Sequence, residues 1–262
     1  MSDLDLAIAA ARAGGVVVAD GFGNIATTDF KGRNDPVTDV DRASETAIVE
    51  LLTKHRPDDG LIGEEGTDRA QRSERTWIID PLDGTVNFVH SLPIVSVSIG
   101  LYEGDQPLIG VVYDPINDEL FAAETGQGAT LNGQRIGVSS VADPSHAVVV
   151  TGFPYDHHVY PDAYLAPLRE MLVTVNGIRR LGSAALDQCY IAAGRIDAGW
   201  EFELKPWDIA GGLVILLEAG GMATHPDGTA LTPWRRHVVS SNGLIHEPIR
   251  SIVADAFPHH LS

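Results

Sequence analysis

Positive charge is scarce in this sequence. Its 262 residues carry 18 Lys and Arg against 36 Asp and Glu, a formal net charge of −18. Surfaces that hold nucleic acid or anionic lipid need basic patches to neutralise phosphate, so neither partner is expected. An anionic substrate must instead be brought in by cations. Cysteine is nearly absent too: Cys189 stands alone, which excludes an internal disulfide framework and fits a reducing compartment. The N-terminal MSDLDLAIAAARAGGVVV has acids where a signal peptide carries positive charge, and Arg12 interrupts its apolar run. No apolar run approaches the roughly eighteen residues of a membrane-spanning helix, so the expected location is cytoplasmic. Repeats, low-complexity segments and long linkers are missing. What is present, 44% hydrophobic and 21% charged residues, is ordinary for a globular protein of one large or two smaller domains.

Segment 3–20, rich in alanine with scattered Leu, Ile and Val, predicts a first helix. Thr38 and Asp41 resemble a capping box with Asp in place of Glu, and Ala47, Ile48, Leu51 and Leu52 continue a helical face up to Arg56-Pro57. The texture then changes to apolar runs broken by Gly, Pro, Asn and Asp. LIG (61–63), WIID (77–80), IVSVSIGLY (94–102), PLIGVVYDP (107–115) and ELFAAET (119–125) read as successive, antiparallel-looking strands. From about residue 146 the pattern alternates: a strand at AVVVTG, a helix near 161–173, a strand at IRRLG and a helix at 183–193. A last long helix runs from Asp208 to Gly220-Gly221, with strands near 222–224 and 237–240. This order predicts a mixed α/β chain of two closely packed subdomains, 1–145 and 146–262.

The stretch WIIDPLDGTVNF (77–88) puts two carboxylates, Asp80 and Asp83, at the end of an apolar run. Pro81 cannot donate to a ladder and biases Asp80 toward an extended backbone, so the strand is expected to stop there. Two like charges ~4 Å apart at an effective dielectric of 20 repel by roughly 4 kcal/mol. Unless they form a solvated acidic turn, they need a shared proton or a cation. Other stretches add acids. LIGEEG ends an apolar run with Glu64-Glu65, and KGRNDPVTDVD supplies Asp35 and Asp41. KPWDIAGGLVILLEAGG sets Asp208 at a helix start as an N-cap, with Ile209, Leu213, Leu216 and Leu217 along the buried face. Singly, each is an ordinary loop acid or cap. Together, hard oxygen donors without nearby Cys or His favour Mg²⁺, Mn²⁺ or Ca²⁺ over zinc. Carboxylates beside a Gly-Thr turn into a helix suit phosphate, whose oxygens can meet metal ions and helix-terminal amides together. Metal-assisted phosphoryl chemistry is therefore expected.

Competing motifs are weaker. GFGNIA (21–26) has the dinucleotide pattern G-x-G-x-x-A, but helix-like sequence precedes it and no helix-like sequence follows. His157-His158 and His259-His260 lack helical ligand spacing with a carboxylate and read as surface or loop residues. Cys189 reads as a small core residue. No H-E-x-x-H, G-x-S-x-G or Walker A sequence occurs.

In combination, GEE (63–65), WIIDPLDGTVNF and PWDIAGGLVILLEAGG (206–221) resemble the inositol monophosphatase family of the magnesium-dependent, lithium-sensitive phosphatases. KGRNDPVTDVD (31–41) and RRLGSAALD (179–187) extend the likeness over most of the chain, and DGTVNF is similar to the inositol-phosphatase branch. The resemblance implies a sugar-phosphatase-like fold of alternating α/β/α/β/α layers and, in the family's usual form, a homodimer. It implies a phosphomonoesterase with two or three Mg²⁺ ions, or Mn²⁺ in their place, in which water attacks phosphorus in line without a covalent phosphoenzyme. By matching position, Glu64, Asp80, the Leu82 carbonyl, Asp83 and Asp208 would hold metal, with Asp83 bridging two ions. Thr85 and Glu64 would orient the attacking water, and the Gly84 and Thr85 amides would hold phosphate. Ala184 and Asp208 would contact substrate, and Glu201 would accept hydrogen bonds from its hydroxyls. Thr38 and Asp41 match supporting or third-metal positions. Lys31 lies one residue nearer Asp35 than the family's usual lysine and is left out. Inositol monophosphate is the implied substrate, with histidinol phosphate next and fructose 1,6-bisphosphate and 3′-phosphonucleotides within the same fold family. A sugar-phosphate-binding regulatory module is the non-enzymatic alternative.

Overall fold

Trp77, Ile78 and Ile79 are all fully buried, yet they do not share a core. Trp77 and Ile79 pack with Leu6, Ala10, Ile48 and Leu52, while Ile78 packs with Leu186, Val214 and Ile215. Successive strand residues point to opposite faces, so an unbroken apolar run stays buried only where both faces are covered. Val111 and Val112 divide in the same way. Each such side chain contributes roughly 1.5–3 kcal/mol of burial, which fixes the register of the sheet between its two helical layers.

The structure, a computed structural model, describes residues 1–24, 28–32, 35–155 and 157–256, with the side chains at 30, 31, 32 and 35 outside the description. Helix α1 (Asp3–Gly21), a hairpin of β1 (Thr28–Gly32) and β2 (Asp35–Thr38), and helix α2 (Asp39–His55) come first. The capping box of Thr38 and Asp41 opens α2 as expected. An eight-stranded sheet follows, built from β3 (Gly60–Gly63), β4 (Asp68–Arg69), β5 (Arg75–Asp83), β6 (Ser96–Glu103), β7 (Gln106–Asp114), β8 (Glu119–Glu124), β9 (Gly128–Leu131) and β10 (Gln134–Arg135). Its order is β10-β9-β8-β7-β6-β5-β3-β4, and the short helix α3 (Thr85–Val89) leaves β5. The remaining chain holds β11 (Val148–Thr151), α4 (Pro161–Thr174), β12 (Gly177–Arg179), α5 (Ala184–Ala192), β13 (Ala198–Glu201), α6 (Pro206–Glu218), β14 (Met222–Thr224), β15 (Val238–Ser241) and α7 (His246–Asp255). Its five strands are ordered β12-β11-β13-β15-β14.

Helices α1 and α2 cover the outer face of the large sheet, and α5 and α6 lie between the two sheets. Tyr164 and Met171 of α4 and Ile249 and Val253 of α7 close the outer face of the small sheet against Val149 and Trp200. The result is the expected α/β/α/β/α layering. Strands β5 to β8 are antiparallel neighbours as expected, β9 and β10 extend that order without a sequence expectation, and β3 pairs with β5 in parallel. Strand β13 and helix α7 had no sequence expectation. Among the described residues, helix α1 ends at Gly21, the first residue of GFGNIA, and strand β1 follows at Thr28, the reverse of the strand-then-helix order a dinucleotide turn needs; Ile25 and Ala26, like His259 and His260, lie outside the described residues. His157 and His158 are exposed, and Cys189 is fully buried in α5. Among the described residues, no helix is long and apolar enough to cross a membrane.

Candidate active site

Glu64 follows β3 directly, and its amide donates to the Ile79 carbonyl at 3.2 Å. Because β3 and β5 are parallel, with Gly63 opposite Ile79, their C-terminal ends emerge side by side and set Glu64 next to Asp80. Ligands of open α/β sheets gather at such strand ends. Strand β5 does not stop at Asp80 as expected. Pro81 withholds its donor and its carbonyl turns to accept from Ser44 Oγ at 2.8 Å, after which the ladder resumes with Asp83 opposite Ser96. A slip of register lets the strand pass the proline.

Asp208 arrives from the opposite layer on α6. Two glycines bring that helix close: a Cβ on Gly100 would stand 2.7 Å from Ala210 Cβ, and one on Gly110 would collide with the Gly211 carbonyl. Asp208 is not the N-cap. Lys205 holds that place and Pro206, whose fixed φ suits a first helical position, starts the helix earlier. Asp208 stands at the third position and its Oδ2 accepts the Lys205 amide at 2.7 Å. Leu217, expected on the buried face, is 40% exposed near the end of the helix.

Gly84 connects β5 to α3 with φ +91°, where a Cβ would stand 2.9 Å from the Ile94 carbonyl and 3.1 Å from that of Gly182. Only glycine fits this turn. It leads to Thr85, whose Oγ1 lies 3.1 Å from both Asp41 Oδ1 and the Leu82 carbonyl. Asp41 Oδ2 in turn accepts the Thr38 amide at 2.8 Å and the Thr38 hydroxyl at 2.5 Å.

The carboxylates differ in their surroundings. Asp83 Oδ2 accepts Ser183 Oγ at 2.5 Å and the Ala185 amide at 2.9 Å, and its Oδ1 accepts the Ala184 amide at 3.2 Å. Burial still raises its protonation range, against the pull of those donors. Asp80 Oδ1 accepts the Leu82 amide at 3.0 Å; among the described residues its Oδ2 carries no hydrogen bond. Burial, then the charges of Glu64, Asp83 and Asp208, push Asp80 well above the usual carboxylate range. Burial and Glu64 do the same to Asp208. Asp41 is raised by burial alone, with the Thr38 and Thr85 donors opposing. Glu201, at the end of β13, comes from the second sheet and is pushed up to about 8 by burial and Asp83, while Arg180 pulls the other way.

These elements converge on one cavity of about 240 Å³. Glu64, Asp80, Leu82, Asp83, Gly84, Thr85, Ala184, Glu201 and Asp208 all line it, whereas Thr38 and Asp41 stand behind Thr85. The Asp35 side chain lies outside the description. Phe153, Tyr155, Arg180 and Lys205 also line the cavity and were not anticipated. Neither were the braces: Ser183, within GSAALD, and Asn87, within DGTVNF, whose Nδ2 donates to the carbonyls of Ile94 at 2.9 Å and Leu181 at 2.8 Å. Their only sequence signal was membership in those motifs. Among the described residues, no three acid, imidazole or thiol groups stand close enough to cage a metal by themselves. The donor chemistry nonetheless fits a hard divalent cation: carboxylates that raise one another's protonation are stabilised by positive charge between them.

A family model described as the inositol monophosphatase family matches residues 2–256. The chain is 44% identical over 229 residues to the Nus factor SuhB of Pasteurella multocida, covering 86% of this chain and 85% of that one. It is 40% identical to the fructose-1,6-bisphosphatase/inositol-1-monophosphatase of Aquifex aeolicus, covering 95% and 94%. The solved structure of a Thermotoga maritima IMPase superposes with a TM-score of 0.89 at 38% identity, covering 98% of each chain. Sequence and fold agree across nearly the whole length, and the chain belongs to the inositol monophosphatase family of phosphoric monoester hydrolases.

Proposed function

We propose that the chain hydrolyses the phosphate monoester of a small polyol, inositol 1-phosphate foremost, with Mg²⁺ or Mn²⁺. The observation that carries this is the meeting of Glu64, Asp80, Asp83 and Asp208 in one cavity with Glu201 on its other wall. Those four carboxylates and the Leu82 carbonyl would hold two or three ions. The hydrogen bonds favour Asp80 as the shared ligand in place of Asp83, because Asp83 already spends both oxygens on α5 and Asp80 faces the other three acids. A bound divalent cation would acidify the attacking water and offset the charge between a dianionic phosphate and this acidic protein.

The chain's own groups supply the rest. Thr85 has one hydroxyl proton; donated to Asp41 or Leu82, it leaves the Thr85 lone pairs to accept from a water that Glu64 also holds. The Gly84 and Thr85 amides would receive phosphate oxygens beside Ala184. Glu201 would accept hydrogen bonds from the leaving alcohol. Phe153, Tyr155 and Glu201 together favour histidinol phosphate as a second reading, since aromatic faces and a carboxylate also receive a cationic amine. The net charge of −18 supports neither nucleic acid nor membrane as a partner. A cytoplasmic homodimer inhibited by lithium, divided into subdomains 1–145 and 146–262, completes the reading.

Phosphate release from inositol 1-phosphate, histidinol phosphate, fructose 1,6-bisphosphate and a 3′-phosphonucleotide tests it. Turnover with Mg²⁺ and none in excess EDTA is expected, with inositol 1-phosphate preferred. Undiminished turnover in EDTA removes the metal role; a tenfold or greater preference for histidinol phosphate, about 1.4 kcal/mol, replaces the substrate.

A further inference from the structure

Behind the substrate cavity lies a second, smaller one of about 10 Å³ between α5, β13 and β15. Glu201 and Leu204 line both, so Glu201 forms part of the wall between them. Asp187 and Gln188 line the small cavity from α5 and are 2% and 3% exposed. Asp187 Oδ1, Gln188 Oε1 and Gln188 Nε2 have no hydrogen-bond partner among the described residues. Gln188 packs against α6 at Gly212, where a Cβ would stand 2.9 Å from Gln188 Cβ and 3.1 Å from Gln188 Oε1. Leaving a buried polar group unpaired costs ~1–3 kcal/mol, so Asp187 and Gln188, which line this space and carry unpaired polar atoms, call for an occupant. A space of ~10–15 Å³ with two to four polar partners is what a single water needs.

We propose that Asp187 is a positioning residue for substrate recognition, holding Glu201 toward the substrate cavity through one water molecule that it shares with Gln188 in the smaller cavity. This rests on the reading of Glu201 as the group that accepts hydrogen bonds from the leaving alcohol. Charge supports the arrangement. Asp187 is faced by Glu201 of β13, Asp83 of β5 and Arg180 of the segment before α5; Arg180 alone favours its ionised form. Two neighbouring buried carboxyls readily hold a proton. Through the water, a protonated Asp187 presents a donor on the Glu201 side, which leaves Glu201 as the acceptor that substrate hydroxyls require.

The test compares inositol 1-phosphate with phenyl phosphate, whose leaving group has no further hydroxyls. In Asp187→Ala the ratio of kcat/KM for the two esters should fall about tenfold, through KM, as expected for loss of a water-mediated hydrogen bond to a charged group. Asp187→Asn, which keeps the shape, should show a smaller fall and reports if the alanine variant does not fold. In a Glu201→Gln background the same substitutions should change the ratio less than about twofold, because interacting residues are non-additive. An unchanged ratio in the single variants, or equal effects in both backgrounds, overturns the proposal. A crystal structure of the wild-type chain decides the water independently of turnover. A water within ~3.2 Å of Asp187 and Gln188 is expected, and a dry cavity also overturns the proposal. If wild type cleaves neither ester with Mg²⁺, the phosphatase reading of the site fails instead.

Discussion

Thr85 has one proton to give and two acceptors 3.1 Å away, Asp41 Oδ1 and the Leu82 carbonyl. On the proposed mechanism its value would lie in the lone pairs left over. Thr85→Ala should lower kcat by about 10²-fold or more, in the range of lost general acid–base assistance, while costing only ~1 kcal/mol of stability for one buried hydrogen bond. Thr85→Ser should restore most of the rate, and an alanine variant within about twofold of wild type would remove Thr85 from the reaction. Glu201 gives a prediction in pH. Burial and then Asp83 push its carboxyl up to about 8, above the ~4.3 of a free glutamate, so between those values the buried pair of Glu201 and Asp187 keeps a proton that the unfolded chain releases. Stability attributable to Glu201 is therefore full below the lower value and falls as pH rises through the upper one. In EDTA, the fall in Tm between pH 5 and 8 should be shallower for Glu201→Gln than for wild type; equal slopes would detach the effect from Glu201.

At the scale of elements, the site depends on how near α6 can lie to the large sheet. Gly100 and Gly110 permit the approach, and Asp208 at the third position of α6 is carried with it. Gly100→Ala should force a Cβ against Ala210, cost ~1–3 kcal/mol as an overpacked core does, and lower Tm by roughly 2–4 °C per kcal/mol in a chain of this size. Turnover should fall as well, because Asp208 moves away from Asp80. Gly137→Ala is the control: there a Cβ would meet just the Ala219 carbonyl at 3.7 Å. Equal melting temperatures for the two variants would mean that helix and sheet have slack between them.

The whole molecule concentrates negative charge where its layers meet. Glu64, Asp80 and Asp83 come from the large sheet, Asp208 from the middle helical layer and Glu201 from the small sheet. Cation binding to the assembled cluster is therefore binding to the folded state, since the unfolded chain disperses these acids. Mg²⁺ at ~100 times its Kd should add about 2.7 kcal/mol of stability and raise Tm above that in NaCl of equal ionic strength. The Asp80→Asn variant should lose most of this difference. If MgCl₂ and NaCl shift Tm alike in wild type, general screening of the −18 charge accounts for the effect and the cluster is not a specific metal site.

Much of this was legible in one dimension because it is local. The capping box of Thr38 and Asp41, the apolar runs of β5 to β8 and the acids at element ends depend on neighbours a few residues away. Local rules also misled where a neighbour intervened: Pro81 did not end β5, and Pro206 moved the start of α6 ahead of Asp208. The amphipathic α7 and the short β13 escaped notice because neither carries a strong capping or turn signal. The motifs named the acids, and the resemblance implied Asp83 as the bridging one. The proposal of Asp80 in that place rests instead on contacts across about one hundred residues, where Ser183, Ala184 and Ala185 take the oxygens of Asp83 and leave Asp80 facing its neighbours. The small cavity behind Glu201 had no sequence signal at all. Asp187 and Gln188 fall within the helix expected at 183–193, and only the packing of α5 against β13 and α6 makes them buried, unpaired and adjacent to the site. Residue identity sets which chemistry a side chain can perform; desolvation and the company of other charges, which exist only once the layers close, set whether it does.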